Sequence, residues 1–427
     1  MKAILDIVKQ HKAGVPLGIY SVCSAHPLVI QSALELALST DTYALIEATS
    51  NQVNQDGGYT GMQPENFKEL VFSIADKVKL PKDKVILGGD HLGPNCWQNL
   101  TADVAMQKSE ILIADYVKAG FKKIHLDCSM SCSDDPIPLT DEVVADRAAK
   151  LCNVAEQVWK ETGGEAPVYI IGTEVPVPGG ATEELDELAV TSAVAAQHTI
   201  EVHKKAFLSS GLEQVWPRIV ALVVQPGVEF DHHKVIDYQD TKAKELSNFI
   251  DSQPHMIFEA HSTDYQTAAN LKNLVRDHFA ILKVGPGVTF ALREALWALD
   301  QIEQEWLPKT DVSNLKATMT KVMKESPKYW QPYYTSADRQ LALDCQYSLS
   351  DRIRYYWPQS DVAKAYKTMT ENFKKSTVPL TLLSQYLPLQ YQAIRDGEIS
   401  ATVEQIVIHH ITAVLKQYLN ACRPATL

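Results

Sequence analysis

Ionisable and amide side chains recur along this sequence in tight sets, each placed just after a short apolar run. The sets are Gly88-Gly89-Asp90-His91, His125-Leu126-Asp127, Gly172-Thr173-Glu174, Gln225-Pro226-Gly227 (running on through Glu229, Asp231 and His232), Glu259-Ala260-His261-Ser262 and Lys283-Val284-Gly285. Charged groups are costly to bury unless they do something together, so sets that all follow apolar runs point to one shared site. Imidazoles and carboxylates drawn from separate elements are what a divalent cation with open positions needs. His91 and His261 are the first candidate ligands, with Glu174 and His232 behind them. Zinc is the first choice for such a set, and manganese, cobalt or nickel would also fit.

Asp90 precedes His91 and follows two glycines, so the chain can turn both side chains toward one site. A carboxylate there suits general acid–base work; the alternative is a cap for a helix starting near Asn95. Asp127 reads as the second proton-transfer group, as an orienting partner for His125, or as a hydrogen bond in the core. The loop Thr49–Tyr59 is dense in amides, which both donate and accept and so suit a polyhydroxylated ligand, and its Gly57-Gly58 pair would let it move as a lid. Asn51 and Gln225 are candidate hydroxyl binders, joined at the same mouth by Glu259, Ser262 and Lys283. In Ser350–Trp357, Arg354 is the arginine that would reach a phosphate, while the rest of the run anchors a helix by stacking.

The elements that must position these groups are legible. Apolar, β-prone runs occur at 17–22, 43–48, 84–88, 123–127, 168–173, 219–224, 255–260 and 279–284, and amphipathic helical segments such as 64–79, 102–119 and 142–161 lie between them. This alternation predicts a parallel α/β fold, and eight strands over this length predict a (β/α)8 TIM barrel. The rival doubly wound sheet usually shows a glycine-rich turn after its first strand, where this chain has Ser21-Val22-Cys23-Ser24. In a barrel the C-terminal strand ends converge on one mouth, which is where the polar sets fall. The barrel is expected over 1–300 and a helical extension packed on it over 301–427, with helices at 340–356, 361–375, 381–395 and 402–421.

Composition narrows the function. With 40 basic and 52 acidic residues among 427, the net charge of −12 disfavours nucleic acid or an anionic membrane as partner. The seven cysteines are scattered in no disulfide or Cys-x-x-Cys zinc pattern, no apolar stretch is long enough to span a bilayer, and the first residues resemble no secretion signal. A cytoplasmic setting is expected, and homo-oligomerisation is left open.

Several long strings resemble a known family. They are SVCSAHPLVI (21–30), EATSNQVNQDGGYTGM (47–62), GGDHLGPNCW (88–97), GTEVPVPGG (172–180), VVQPGVEFDH (223–232), EAHSTDYQ (259–266) and SLSDRIRYYWP (348–358), and they are similar to the Z subunits of D-tagatose-1,6-bisphosphate aldolase, the GatZ/KbaZ family. The resemblance covers nearly the whole chain. It implies a carbohydrate-metabolism role that supports the activity and stability of a catalytic class II Y subunit, or an autonomous metal-dependent C4-epimerase of ketohexoses or their phosphates. A fainter likeness to class II aldolases themselves implies that Asp90 transfers protons while His91 binds zinc, and their late His-Gly-Gly turn resembles His261-Ser262-Thr263. The chain departs from that pattern at Ser262-Thr263, where those aldolases have a glycine pair that helps bind phosphate, at Gln225-Pro226-Gly227 and at Lys283-Val284-Gly285. Kinase chemistry is not supported, since neither a Gly-x-x-x-x-Gly-Lys-Ser/Thr loop nor a kinase-type glycine loop is present.

Overall fold

The computed structural model describes residues 2–175, 181 and 188–423. Eight parallel strands form a closed barrel: β1 (Ile19–Cys23), β2 (Ala44–Thr49), β3 (Val85–Leu92), β4 (Lys123–Leu126), β5 (Val168–Ile171), β6 (Ile219–Val224), β7 (Ile257–Ala260) and β8 (Ile281–Val284). They pair in chain order and β8 closes on β1. Helices follow the strands as the alternation predicts, including Pro64–Val78, Ala102–Ala119 and Asp141–Thr162.

The strands' period of two sorts the barrel interior into layers. Ile19, Leu45, Ile86, Ile257 and Ile281 share one apolar cluster with Ile4 and Val8 of the first helix, Lys2–Lys12. Two residues further along the strands stand Ser21, Glu47, Gly88, Glu259 and Lys283, and two further still Cys23, Thr49, Asp90, His261 and Gly285. Apolar side chains thus give way to a charged layer and then to the mouth. Glycine at position 88 makes room for that charge, because a Cβ there would lie 2.6 Å from Cγ of Glu47.

The helical extension differs from expectation in two places. The helix expected over 340–356 runs only over Asp338–Tyr347; the chain then turns, with Asp351 in the left-handed region at φ 45°, into a short 3-10 helix at Arg352–Tyr355. The helix expected over 381–395 is divided into Leu380–Tyr386 and Pro388–Arg395, because Pro388 has no N–H to continue the ladder. The final helix, Val403–Cys422, packs against Pro27–Thr40, Ala268–Arg276 and Pro286–Trp306, so it joins the ring of helices around the barrel. Its Tyr418 hydroxyl donates to the carbonyl of Thr263 at 2.8 Å, directly behind the β7 turn. Among the described residues no helix is long and apolar enough to cross a membrane, and all seven cysteines are free thiols.

Burial of histidine makes the fold acid-sensitive. His203 is 0% exposed, donates through Nδ1 to the Thr199 carbonyl at 2.8 Å, and leaves Nε2 without a partner. Desolvation lowers its pKa to about 4, and desolvation lowers that of His278 to about 4 as well. Between pH 6.5 and 4 the unfolded chain therefore binds more protons than the folded one, and stability falls as pH falls. We expect the thermal midpoint to drop steadily through this window. His203→Leu should flatten the drop by about 2–3 kcal/mol, read from midpoints at pH 7 and pH 4.5; an unchanged slope would refute the assignment.

Candidate functional site

The charged layer is built from four strands. Lys123 Nζ on β4 lies 2.7 Å from Glu47 Oε1 on β2 and 2.7 Å from Glu259 Oε2 on β7. Lys283 on β8 pairs with the other Glu47 oxygen, reaches Asp90 Oδ2 at 3.1 Å and lies 3.7 Å from Glu259 Oε1. The close approaches of Lys123 satisfy charge and not hydrogen-bond direction, so Lys123 Nζ, Glu47 Oε1 and Glu259 Oε2 are left without a hydrogen-bond partner. Burial opposes the charge on Lys123, but Glu259 and Glu47 more than compensate and raise its pKa. Burial likewise opposes that on Lys283, and Asp90, Cys23, Glu47 and Glu259 hold it firmly protonated.

Above this layer three imidazoles face one another. Ring centroids lie 4.9 Å apart for His91 and His261, 5.3 Å for His91 and His125, and 5.2 Å for His125 and His261. The aspartates pair crosswise with them: His91 Nδ1 lies 2.7 Å from Asp127 Oδ2, and His125 Nδ1 lies 2.9 Å from Asp90 Oδ1. His91 takes this position at φ 49°, in the left-handed region that costs a non-glycine residue energy, and such strain tends to be kept where function needs it. Gly93 then lets the chain pass β4, since a Cβ there would lie 1.8 Å from the Asp127 carbonyl oxygen. Despite the desolvation that opposes its charge, Asp90 is held ionised well below the usual carboxylate range by His91, Lys283 and His261. Desolvation lowers the pKa of His261 to about 4, so its imidazole is neutral near pH 7.

Asp90, His125, Glu259 and His261 each present one ligand atom, all within 4.8 Å of one another. His125 Nε2 is buried and has no hydrogen-bond partner, the state expected of a nitrogen kept for a cation. The charges agree with this. Four buried carboxylates (Glu47, Asp90, Asp127 and Glu259) face two buried ammoniums (Lys123 and Lys283), an excess of two negative charges when the imidazoles are neutral. The excess is one when His91 carries a proton, since desolvation opposes its charge but Asp90 and Asp127 raise its pKa. A divalent cation would balance that excess, so the residues fit one.

A cleft with an empty volume of about 650 Å3 opens over the cluster. Asp90, His91, His261, Ser262, Asp264 and Lys283 from the strand ends line it together with Asn51, Gln52 and Tyr59 of the amide loop and Arg354 and Tyr355 of the tail. Arg354 lies with its guanidinium 4.6 Å from the Tyr355 ring, whereas Arg352 stacks on Tyr333 at 3.4 Å and anchors the tail. The amide loop is tied down internally, since Asn54 Oδ1 accepts from the amides of Asp56 and Gly58 at 2.9 and 3.0 Å.

The structure thus gathers Asp90, His91, His261, Asn51, Ser262, Lys283 and Arg354 around the cleft, with Glu259 directly beneath. Asp90 is no helix cap; its carboxylate serves His125 and Lys283. Asp127 stands behind His91, to whose Nδ1 it is bonded, takes a hydrogen bond from Ser129 Oγ at 2.6 Å and lies outside the cleft lining. Three expected residues are not brought in. Glu174 is exposed and bonded to the Thr191 hydroxyl. His232 is carried off on a small hairpin, Glu229–Phe230 with Val235–Ile236, and both its ring nitrogens are engaged, with Ser350 Oγ at 3.0 Å and the Tyr333 carbonyl at 2.9 Å. Gln225 folds back to accept from the amides of Gly227 and Val228 at 2.8 and 3.0 Å. The glycine pair Gly179-Gly180 lies outside the described residues. Glu47, Lys123, Cys23, Tyr59 and Asp264, together with His125 as a ligand, were missed; the first two stand two residues before mouth positions on their strands, and that alternation is the signal that would have found them.

Comparison with known proteins fits this architecture. The profile of the family described as D-tagatose-1,6-bisphosphate aldolase subunit GatZ/KbaZ-like matches residues 4–423. The crystal structure of a probable tagatose 6 phosphate kinase from Sinorhizobium meliloti 1021 is similar at 46% identity, covering 95% of this chain and 100% of that one, with a TM-score of 0.88. The YdjI aldolase from Escherichia coli K12 is 12% identical, over 88% of this chain and 97% of that one, with a TM-score of 0.44. With its profile matched across almost the whole length, the chain belongs to the GatZ/KbaZ-like family of D-tagatose-1,6-bisphosphate aldolase subunits.

Proposed function

We propose that the barrel mouth makes and breaks the C3–C4 bond of a ketohexose or its phosphate with a divalent cation, zinc before manganese, cobalt or nickel, and that its turnover without a partner is C4 epimerisation. The observation that carries this reading is the buried excess of negative charge beside three imidazoles, one with a free ring nitrogen. A fold has no reason to retain such a cluster unpaired, because each uncompensated buried charge destabilises it.

His125, His261, Glu259 and Asp90 would hold the cation, with His91 beside them. When bound, it supplies a Lewis acid for the oxygens on C2 and C3. Of the four carboxylates in the cluster only Asp90 lines the cleft, and Asp264, which also lines it, is held by the amides of Gly285 and Gly287, so Asp90 takes the proton from the C4 hydroxyl. The oxygen's electron pair then forms the C4 aldehyde, the C3–C4 bond breaks, and its pair passes into the C2–C3 enediolate. The Lys283 ammonium, 3.1 Å from Asp90 and also in the cleft, offers positive charge to that enediolate. Rotation of the aldehyde, attack by C3 on its other face and return of the proton give the C4 epimer; release of the aldehyde is aldol cleavage. Asn51 and Ser262 bind hydroxyls.

The experiment uses the purified protein alone with tagatose 6-phosphate, tagatose and tagatose 1,6-bisphosphate, with zinc or manganese and then a chelator. We expect the fructose epimer to form and chelation to stop it; no conversion of any substrate with any metal would refute autonomous catalysis. A second reading, support of a class II Y subunit, is favoured by the family's description as an aldolase subunit. Its sign would be a rise in the Y subunit's activity and thermal midpoint on mixing. Phosphoryl transfer, the activity in the name of the Sinorhizobium meliloti protein, finds no glycine-rich phosphate loop in this sequence.

A further inference from the structure

The helix Pro286–Trp306 begins at the mouth, directly after β8. In barrels of this kind the turns after the seventh and eighth strands and a nearby helix N-terminus commonly cradle a substrate phosphate. Here the amides after the eighth strand are already taken. Asp264, 3% exposed, accepts with one oxygen from the amides of Gly285 and Gly287 at 2.9 and 2.7 Å. Pro286 between them has no N–H, and the amides of Val288 and Thr289 turn back on the Gly285 carbonyl at 3.3 and 3.4 Å. No amide of this first turn is left for a ligand. The fit is close as well as complete, since a Cβ on Gly287 would lie 3.0 Å from the same Asp264 oxygen.

A second carboxyl stands at the same end, although burial raises its pKa to about 7 and leaves it only partly ionised at neutral pH. It belongs to Glu229, 5% exposed and close to Ser262 and Asp264. Elsewhere on the cleft wall Arg354, whose charge Asp264 feels, spends two N–H groups on the carbonyls of Ser350 and Asp351 and one on the Tyr355 hydroxyl. A guanidinium carries five, so this wall keeps donors for an anion. The cleft therefore offers a phosphate no amide at the start of this helix, while Arg354 keeps guanidinium donors for one.

We propose that Asp264 is a specificity-determining residue: it takes the helix-start amides of the mouth's phosphate cradle with the chain's own carboxylate, so the site takes a ketose with a hydroxyl at that end and a phosphate only at the Arg354 wall. A ketohexose monophosphate fits and a bisphosphate does not. This rests on the ketohexose reading above, but the state of the cradle can be tested without it. Calorimetric titrations would use the metal-loaded protein with tagatose 6-phosphate, tagatose 1,6-bisphosphate and, separately, inorganic phosphate. The wild type should bind the monophosphate at least tenfold more tightly than the bisphosphate. Asp264→Gly, which vacates the cradle, should gain inorganic phosphate binding over wild type whether or not any sugar is turned over. Asp264→Asn keeps both amide bonds and removes the charge, and should narrow the sugar ratio at least threefold even if the glycine variant fails to fold. Equal binding of the two sugars by wild type would overturn the proposal, as would a folded Asp264→Gly with no gain in phosphate binding or an Asp264→Asn with an unchanged ratio. Failure of both sugars to bind, with phosphate gained by Asp264→Gly, would overturn the ketohexose reading and leave the filled cradle standing.

Discussion

Replacing Lys123 with methionine is expected to destabilise the protein by about 3–5 kcal/mol, the usual cost of removing one partner from a buried ion pair. Lys123 is fully buried, and its ammonium is the nearest positive charge to both Glu47 Oε1 and Glu259 Oε2, each 2.7 Å away. Methionine fills much of the space, so the loss is electrostatic and not a cavity. Lys283 remains beside the same two carboxylates, but it also serves Asp90 and cannot neutralise all three. Urea midpoints of wild type and Lys123→Met check the size. Adding Glu259→Gln to the methionine variant removes one of the stranded charges and should recover part of the loss. A single variant within 1 kcal/mol of wild type would mean that the layer is already neutralised by protons and that the charge count behind the cation site is wrong.

The barrel was legible because buried parallel strands and amphipathic helices leave different periods in a sequence. β6 is found at its expected ends, Ile219–Val224, since all six of its residues are buried and apolar. β3 runs to Leu92, beyond the expected end at 88, because its last residues are the polar ones that carry the site. Site residues were legible where they sit on a strand end, as with Asp90, His91, His261 and Lys283. They were misplaced where nearness in sequence stood in for position at the mouth. His232 follows β6 by eight residues, enough for a hairpin to hand it to the tail. Glu174 follows β5 by three, and its side chain leaves the axis for Thr191. Glu47 and Lys123 escaped notice for the opposite reason: within a strand a lone charge reads as an interruption of the apolar run. Only the closure of the barrel shows that the two face each other. Asp264 belongs to neither group, as its role depends on two backbone amides contributed by the following turn.

Asp90→Asn should lower turnover about 10²–10⁴-fold, the range for loss of a positioned general acid–base group, with little change in KM. The substitution keeps the side chain's size, and an amide still meets His125 Nδ1, now 2.9 Å from Asp90 Oδ1, so the fold should persist. What disappears is the one carboxylate of the cluster that lines the cleft, together with the negative charge beside Lys283. Cation affinity should also weaken, because Asp90 supplies one of four converging ligand atoms. Asp127→Asn is the informative contrast. Asp127 holds His91 through Nδ1 at 2.7 Å and fixes which ring nitrogen faces the cleft, yet it does not line the cleft itself. Because His91 stands beside the four converging ligand atoms and not among them, the loss of Asp127 should reduce cation affinity by about 10-fold, the low end for residues behind a metal site, and excess metal should restore most of the turnover. Excess metal should not rescue Asp90→Asn. Measuring kcat, KM and bound metal for both variants across a zinc or manganese titration separates the two roles. If metal rescues both variants equally, Asp90 is a positioning residue and the proton-transfer group must be sought elsewhere in the cleft.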